Sequence, residues 1–258
     1  MIDKYNNKSI LSSNSKNFLG DWTIIAGPCS AESEEQILQT ARVISKNGAN
    51  ILRAGIWKPR TSPESWQGPG DTAIEWLVKA KERTGIKIAT EVKDLRTLKL
   101  VTEAGFDYIW IGSRNGLNYA LLEEIGIFTK KTKKPIILKR AMSASLEEWI
   151  GSARYITKNN PNIILCERGI RGYSPDTRNI LDLQTAYLAK IKSKLPVIVD
   201  VSHAAGRRDL IIPMSKAVKA AGFNGLMIEV HPNPDKAKTD GFQQINFRTY
   251  KKLYSEIA

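Results

Sequence analysis

Nowhere does the chain approach the roughly 20 consecutive apolar residues that a membrane-spanning helix needs, so no membrane protein is expected. Residues Met1 to Gly20 carry Lys4, Lys8 and Lys16 among serines and asparagines and lack the apolar core of a secretory signal. They are expected to form a frayed N-terminal extension (1–20) of a cytoplasmic protein. Cysteine is scarce: Cys29 and Cys166 lie far apart, which implies no disulfide framework and points to a reducing compartment. Acidic residues are the minority, 26 Asp and Glu against 39 Lys and Arg, leaving a formal charge of +13. Such an excess suits a nucleic-acid surface, a solvated shell or a site for anionic small molecules. The one dense run, Lys130 to Lys134, lies between a predicted helix and a predicted strand, where it fits a solvated turn. Paired strand aromatics and a basic recognition helix are both missing, so nucleic acid is not an expected partner.

What is present is a recurrence. Eight short apolar runs rich in Ile and Val span Thr23 to Ser30, Ile51 to Ile56, Lys87 to Val92, Tyr108 to Ser113, Pro135 to Arg140, Ile163 to Gly169, Pro196 to His203 and Gly225 to His231. Near-continuous apolarity over so few residues marks strands covered on both faces. Helical spacing fills the intervals, for example Ser33 to Asn47, Asp71 to Thr84, Leu146 to Asn159, Arg178 to Lys194 and Pro213 to Ala221. Ser33 with Gln36 resembles a capping box, and Gly48, Gly85, Gly105 and Gly222 stand where helices stop. Strand and helix alternating eight times predict an α/β protein, a single-domain (β/α)8 TIM barrel over residues 21–258, because about 250 residues suffice for one such core.

Sites of such barrels sit at the C-terminal strand ends, and several runs finish there on charged or metal-binding residues. Alternation pairs Gly27 with Cys29, Ile51 with Arg53, Ala89 with Glu91, Ile111 with Ser113, Ile137 with Lys139, Cys166 with Arg168, Val201 with His203, and Met227 with Glu229 on the inward face. So many charges inside one mouth are costly to bury unless ions bind there. Cys29, His203, Glu229 and Asp240 combine thiolate, imidazole and carboxylates, a set suited to one divalent transition ion such as manganese, iron, cobalt or zinc. The competing interpretation makes Cys29 a small core residue and His203 a hydrogen-bonded strand-end imidazole. His231, beside Pro232, and Cys166, below Arg168, are expected to be structural. Lys58 and Arg60 bracket Pro59, and Thr61 and Ser62 add hydroxyls, which suits a phosphate monoester in a loop. With Arg53, Arg114, Lys139 and Arg168 there are more cations than one phosphate needs, so two anionic substrates are expected.

These residues resemble a known family. Gly27-Pro28-Cys29-Ser30, Arg53 with Lys58-Pro59-Arg60-Thr61-Ser62-Pro63, Leu138-Lys139-Arg140, Cys166-Glu167-Arg168-Gly169, Asp200-Val201-Ser202-His203, Ile228-Glu229-Val230-His231-Pro232 and Thr239-Asp240-Gly241 are similar, in this order, to the type Iβ branch of the 3-deoxy-D-arabino-heptulosonate 7-phosphate synthases. The resemblance implies a barrel that condenses phosphoenolpyruvate with erythrose 4-phosphate at the entry to the shikimate pathway, using a metal ion, with manganese expected. It implies Cys29, His203, Glu229 and Asp240 as ligands. Phosphoenolpyruvate would lie on Arg53, Lys58, Ser113, Arg114, Lys139 and Arg168, and erythrose 4-phosphate on Arg60, Thr61 and Ser62. Glu91 would position water, and Lys58, Glu91, Lys139 and His203 form the expected catalytic set. Val201 stands where the branch has proline, Ala54 and Ala141 where it has glycine, and Ala205 where it has threonine. A homo-oligomer is expected. The family's added regulatory domain or fused chorismate mutase has no room in 258 residues, so feedback control is expected to be absent or to come from a separate partner. Two alternatives remain: a 3-deoxy-D-manno-octulosonate 8-phosphate synthase, whose loop reads Lys-Ala-Asn-Arg-Ser where this chain has Lys58 to Ser62, and a barrel that binds phosphometabolites without turnover.

Overall fold

A computed structural model describes residues 19–258. Eight parallel strands close into a barrel in chain order: β1 (Thr23–Gly27), β2 (Ile51–Arg53), β3 (Lys87–Val92), β4 (Tyr108–Ile111), β5 (Ile136–Lys139), β6 (Ile163–Glu167), β7 (Val197–Asp200) and β8 (Gly225–Glu229). Between and after them run α1 (Glu34–Ser45), α2 (Ala73–Thr84), α3 (Leu95–Glu103), α4 (Tyr119–Phe128), α5 (Leu146–Thr157), α6 (Leu183–Ser193), α7 (Val201–Ala205), α8 (Ile211–Ala220) and α9 (Phe247–Ile257). The apolar runs become strands because both their faces are buried, and they divide into two cores. Ile24, Ala26, Leu52, Ile109, Ile111, Leu138, Leu165, Val199 and Ile228 face the helices, while Ile25, Ile51, Ala89, Tyr108, Trp110, Ile137, Ile164, Ile198 and Met227 fill the interior. Leu19, four residues ahead of β1 and assigned by composition to the extension, joins the interior cluster at 4% exposure. Residues 1–18 of that extension lie outside the described residues.

Local chemistry ends the helices as expected. Gly48, Gly85, Gly105 and Gly222 all take positive φ, between 70° and 80°, a region where a side chain is strained. At the start of α1 the Ser33 side chain accepts from Gln36 N, but Gln36 Oε1 accepts from Glu32 N instead of the cap residue, so the predicted capping box is only half formed. Complete boxes occur at Asp94 with Thr97 and at Ser145 with Glu148.

Two inward assignments need correction. On β4 the inward residues are Tyr108 and Trp110, and Ile111 packs outward. Register requires this, since Trp110 pairs laterally with Glu91 and Ile137. Ser113 reaches the mouth because the strand has already ended and a 3-10 turn (Ser113–Asn115) carries it there. On β7 the strand stops at Asp200, Val201 packs outward, and His203 rides on α7, whose N-cap is Asp200. Val201 occupies the first helical position, where the branch's proline is equally at home because that N–H has no helical partner.

Candidate active site

The C-terminal strand ends surround a cavity of about 240 Å3. Of the fourteen residues singled out from sequence, twelve line it: Arg53, Lys58, Arg60, Thr61, Ser62, Glu91, Ser113, Arg114, Lys139, Arg168, His203 and Asp240. Cys29 and Glu229 sit beneath, each fully buried. The floor is Trp110, which the expected parity had turned outward; its ring lies 4.8 Å from the Arg53 guanidinium and 5.6 Å from Lys139 Nζ. A flat aromatic face under two cations holds them without neutralising them. Arg53 and Arg168 both line the cavity, and their buried Nε atoms have no hydrogen-bond partner among the described residues. Farther out, Arg114 Nη2 donates to Thr61 Oγ1 at 3.1 Å, and the Ser62 hydroxyl bonds Glu64. Gly112 makes room for Glu91: a Cβ there would fall 1.9 Å from Glu91 Oε1.

Four donors converge beside this anion pocket. One ligand atom each from Cys29, His203, Glu229 and Asp240 lies within 4.8 Å of all the others. Cys29 Sγ is 3.6 Å from Asp240 Oδ2, and His203 Nε2 is 3.5 Å from Glu229 Oε1 and 3.9 Å from Asp240 Oδ2. Glu229 Oε1 is buried and accepts no hydrogen bond among the described residues; its balance is the charge of Arg53 at 3.3 Å. Two carboxylates, a thiol and an imidazole crowded at this spacing suit a divalent ion. Backbone geometry contributes: Asp240 has φ of 48°, a left-handed conformation that aspartate tolerates better than most residues.

Asp200, within a quoted motif but not assigned a role from sequence, connects the two halves. Its Oδ2 lies 2.5 Å from Lys139 Nζ and 2.7 Å from His203 Nδ1, and Oδ1 accepts from His203 N at 3.0 Å. Burial alone would raise the Asp200 pKa, yet His203 and Lys139 outweigh it and hold the carboxyl well below its ordinary value. An ionised carboxylate only accepts, so His203 Nδ1 carries the proton and Nε2 faces the other donors with its lone pair, the arrangement usual for a ligating histidine. Burial lowers the His203 pKa, against the pull of Asp200 and Glu229, which further favours the neutral ring. Burial also pushes the Cys29 thiol up to about 11, with Glu229 adding to the rise and Lys58 opposing it. Lys58 Nζ lies 3.1 Å from Cys29 Sγ and donates to Cys29 O at 3.1 Å. Against its burial, Arg178 and His203 hold Asp240 far below the ordinary carboxylate range.

Arg178, Gln243 and Gln244 also escaped the sequence analysis. Arg178 lines the cavity 3.0 Å from Asp240 Oδ2 although it lies in the long loop before α6, where no strand period points to it. His231 behaves as expected, accepting from Asn233 N through Nδ1 outside the donor cluster. Cys166 is interior core.

Comparison with known proteins sets this geometry in context. The profile of the DAHP synthetase I family matches residues 11–258. A Thermotoga maritima phospho-2-dehydro-3-deoxyheptonate aldolase is 44% identical over 239 residues, covering 92% of this chain and 69% of the relative. A Desulfotalea psychrophila 2-dehydro-3-deoxyphosphooctonate aldolase is 28% identical, covering 91% and 88%. Among solved structures, the Thermotoga maritima DAHP synthase superposes with a TM-score of 0.86 at 44% identity, covering 91% of this chain and 68% of that one. A truncated form of the Thermotoga maritima synthase gives 0.82 at 41% identity, covering 91% and 84%.

Proposed function

The chain belongs to the DAHP synthetase I family, and from that premise we infer that it is a 3-deoxy-D-arabino-heptulosonate 7-phosphate synthase. It condenses phosphoenolpyruvate with erythrose 4-phosphate and releases phosphate, a carbon–carbon bond-forming step of aromatic amino-acid biosynthesis. The observation that carries the site assignment is one cavity lined by Arg53, Lys58, Lys139 and Arg168 next to a four-residue donor cluster.

Arg53, Lys139 and Arg168 would hold the phosphate and carboxylate of phosphoenolpyruvate over Trp110, with Ser113 and Arg114 closing over the phosphate. Arg60, Thr61 and Ser62 would take the phosphate of erythrose 4-phosphate. Two phosphorylated substrates a few ångströms apart repel by kilocalories, and the cationic wall offsets this while fixing their orientation. The family implies a divalent metal ion; Cys29, His203, Glu229 and Asp240 would hold it, and manganese is the ion we assign. When bound it supplies Lewis acidity toward an aldehyde carbonyl. Lys58 Nζ would hydrogen-bond the aldehyde oxygen of erythrose 4-phosphate as the methylene carbon of phosphoenolpyruvate attacks the aldehyde carbon, and its ammonium would give a proton to the resulting alkoxide. Water then adds at the cationic carbon of phosphoenolpyruvate, oriented by Glu91, whose carboxylate takes its proton. The hemiketal phosphate then collapses to the ketone: its hydroxyl oxygen forms the C=O bond, the C–O bond to phosphate breaks, and phosphate leaves with that electron pair and the hydroxyl proton toward Lys139 and Arg168.

Residues 21–258 would form one catalytic barrel in a cytoplasmic homo-oligomer. Support for association comes from large apolar side chains exposed on the outer helices, Ile127 and Phe128 at the end of α4 and Tyr187, Leu188 and Ile191 on α6. A separate chorismate mutase or regulatory protein is a further partner in this reading. No helix of the described residues is long and apolar enough to cross a membrane.

The test is phosphate release from phosphoenolpyruvate with erythrose 4-phosphate, run beside arabinose 5-phosphate. Turnover with the four-carbon sugar is expected. Turnover with the five-carbon sugar alone would reassign the substrate, and release with neither would leave a binding protein.

A further inference from the structure

After Asp240 the chain doubles back beside β8. Ile245 N donates to Glu229 O at 2.9 Å and His231 N to Ile245 O at 3.0 Å, so residues 243–245 are strapped to the strand that delivers Glu229. Two consecutive side chains of this strap, Gln243 and Gln244, are fully buried, and each bonds one member of the donor cluster with one end of its amide and a neighbour of Asp240 with the other. Gln243 Nε2 donates to Glu229 Oε2 at 2.6 Å while Gln243 Oε1 accepts from Arg178 Nη1 at 2.8 Å; Arg178 Nη1 in turn lies 3.0 Å from Asp240 Oδ2. Gln244 Oε1 accepts from Cys29 N at 3.0 Å, and Gln244 Nε2 donates to Thr239 O at 2.7 Å.

We propose that Gln243 and Gln244 are the positioning residues of the metal centre, each fixing two of its ligands relative to one another. The proposal rests on Cys29, His203, Glu229 and Asp240 being the ligand set. A neutral amide suits the task because it offers a donor at one end and an acceptor at the other, as neither a carboxylate nor an ammonium does. By engaging Oε2 of Glu229, Gln243 leaves Oε1 as the oxygen turned to His203 Nε2, and so selects which oxygen ligates. Through Arg178 the same amide is coupled to Asp240. Gln244 acts on the backbone, joining the peptide N–H of Cys29 to the carbonyl immediately before Asp240, so the spacing between the thiol and that carboxylate is set by one side chain. Outer partners of this kind typically change metal affinity about 10- to 100-fold when removed.

The test uses the full chain, stripped of metal and titrated with Mn2+ against a chelator of known affinity, with Co2+ absorption as the signature of ligand geometry. Gln243→Leu and Gln244→Leu remove the amides; Gln243→Glu keeps the shape and the acceptor toward Arg178 but loses the donor toward Glu229, and it decides the matter should Gln243→Leu not fold. Mn2+ affinity is expected to fall about 10- to 100-fold, with an altered Co2+ spectrum and an apo melting temperature close to that of the unaltered protein. Unchanged Mn2+ affinity together with an unchanged Co2+ spectrum overturns the proposal. So does an affinity loss that appears only alongside an equal loss of apo stability, because packing then explains it. Failure of the unaltered protein to bind either ion would instead overturn the ligand assignment itself.

Discussion

Replacing Asp200 by asparagine tests whether one buried carboxylate joins the anion pocket to the donor cluster. The carboxylate faces Lys139 Nζ at 2.5 Å, His203 Nδ1 at 2.7 Å and His203 N at 3.0 Å, and both Asp200 and Lys139 are nearly inaccessible. An amide supplies one acceptor for these three donors, and its NH2 must point at a group that itself donates. The Lys139 ammonium is left without its counter-charge. Removing one partner of a buried ion pair costs about 3 to 5 kcal/mol, which for a chain of this size lowers the melting temperature of the metal-free protein by about 6 to 20 °C. The phosphate of phosphoenolpyruvate would restore part of the missing negative charge, so saturating phosphoenolpyruvate should narrow the gap between variant and parent. Thermal melts with and without phosphoenolpyruvate, joined to steady-state phosphate release, measure all of this. A ligand-free variant melting within 2 °C of the parent, with unchanged kcat and KM, would refute the coupling.

Chelation is expected to abolish phosphate release and added Mn2+ to restore it, whereas Cys29→Ala should stay inactive at any Mn2+ concentration that restores the parent; full turnover in chelator would remove the metal from the reaction. Gly112→Ala places a methyl group where Glu91 Oε1 now lies, at 1.9 Å. Displacing Glu91 should lower kcat by about 100-fold while phosphoenolpyruvate still protects against thermal unfolding, and an unaltered kcat would deny Glu91 its role. Leu19→Ala opens the barrel interior well away from the mouth, so stability should fall by about 2 to 5 kcal/mol in denaturant titration with KM for both substrates unmoved. Tyr250→Phe removes the buried hydroxyl that donates to Asn47 O at 3.0 Å; a loss of about 1 kcal/mol is expected, and no change would show that the contact is not maintained in solution.

Much of this architecture was legible because buried parallel strands leave a simple trace, a few apolar residues ended by a charge. Six of the eight inward assignments follow from that alternation alone. The errors at β4 and β7 share one physical origin: strand period was carried past the last strand residue. Beyond Ile111 the chain turns into a 3-10 helix, and beyond Asp200 into α7, so Ser113 and His203 reach the mouth by routes to which a two-residue period does not apply. Trp110 was misplaced by the same step, and with it the cavity floor. Arg178 and the glutamine pair were invisible for another reason. Helical spacing reads back to Arg178, but α6 begins only at Leu183, so Arg178 lies with the glutamines in loops, where position comes from tertiary hydrogen bonds, and glutamine announces no chemistry of its own. Asp200 had a usable signal, being the last residue of a buried strand three positions before a histidine.

The donors and the cations come from different arcs of the barrel. Arg53, Lys139 and Arg168 belong to β2, β5 and the end of β6, whereas Cys29, His203 and Glu229 follow or end β1, β7 and β8. Cys29 and Asp240 are 211 residues apart in the chain, and they meet across the seam where β8 pairs with β1 over five residue pairs from Thr23 with Gly225 to Gly27 with Glu229. A nascent chain that has emerged only as far as β7 therefore holds most of its cationic wall but lacks both carboxylate donors. On the proposed ligand assignment, capture of a metal ion by all four donors would report that the ring has shut.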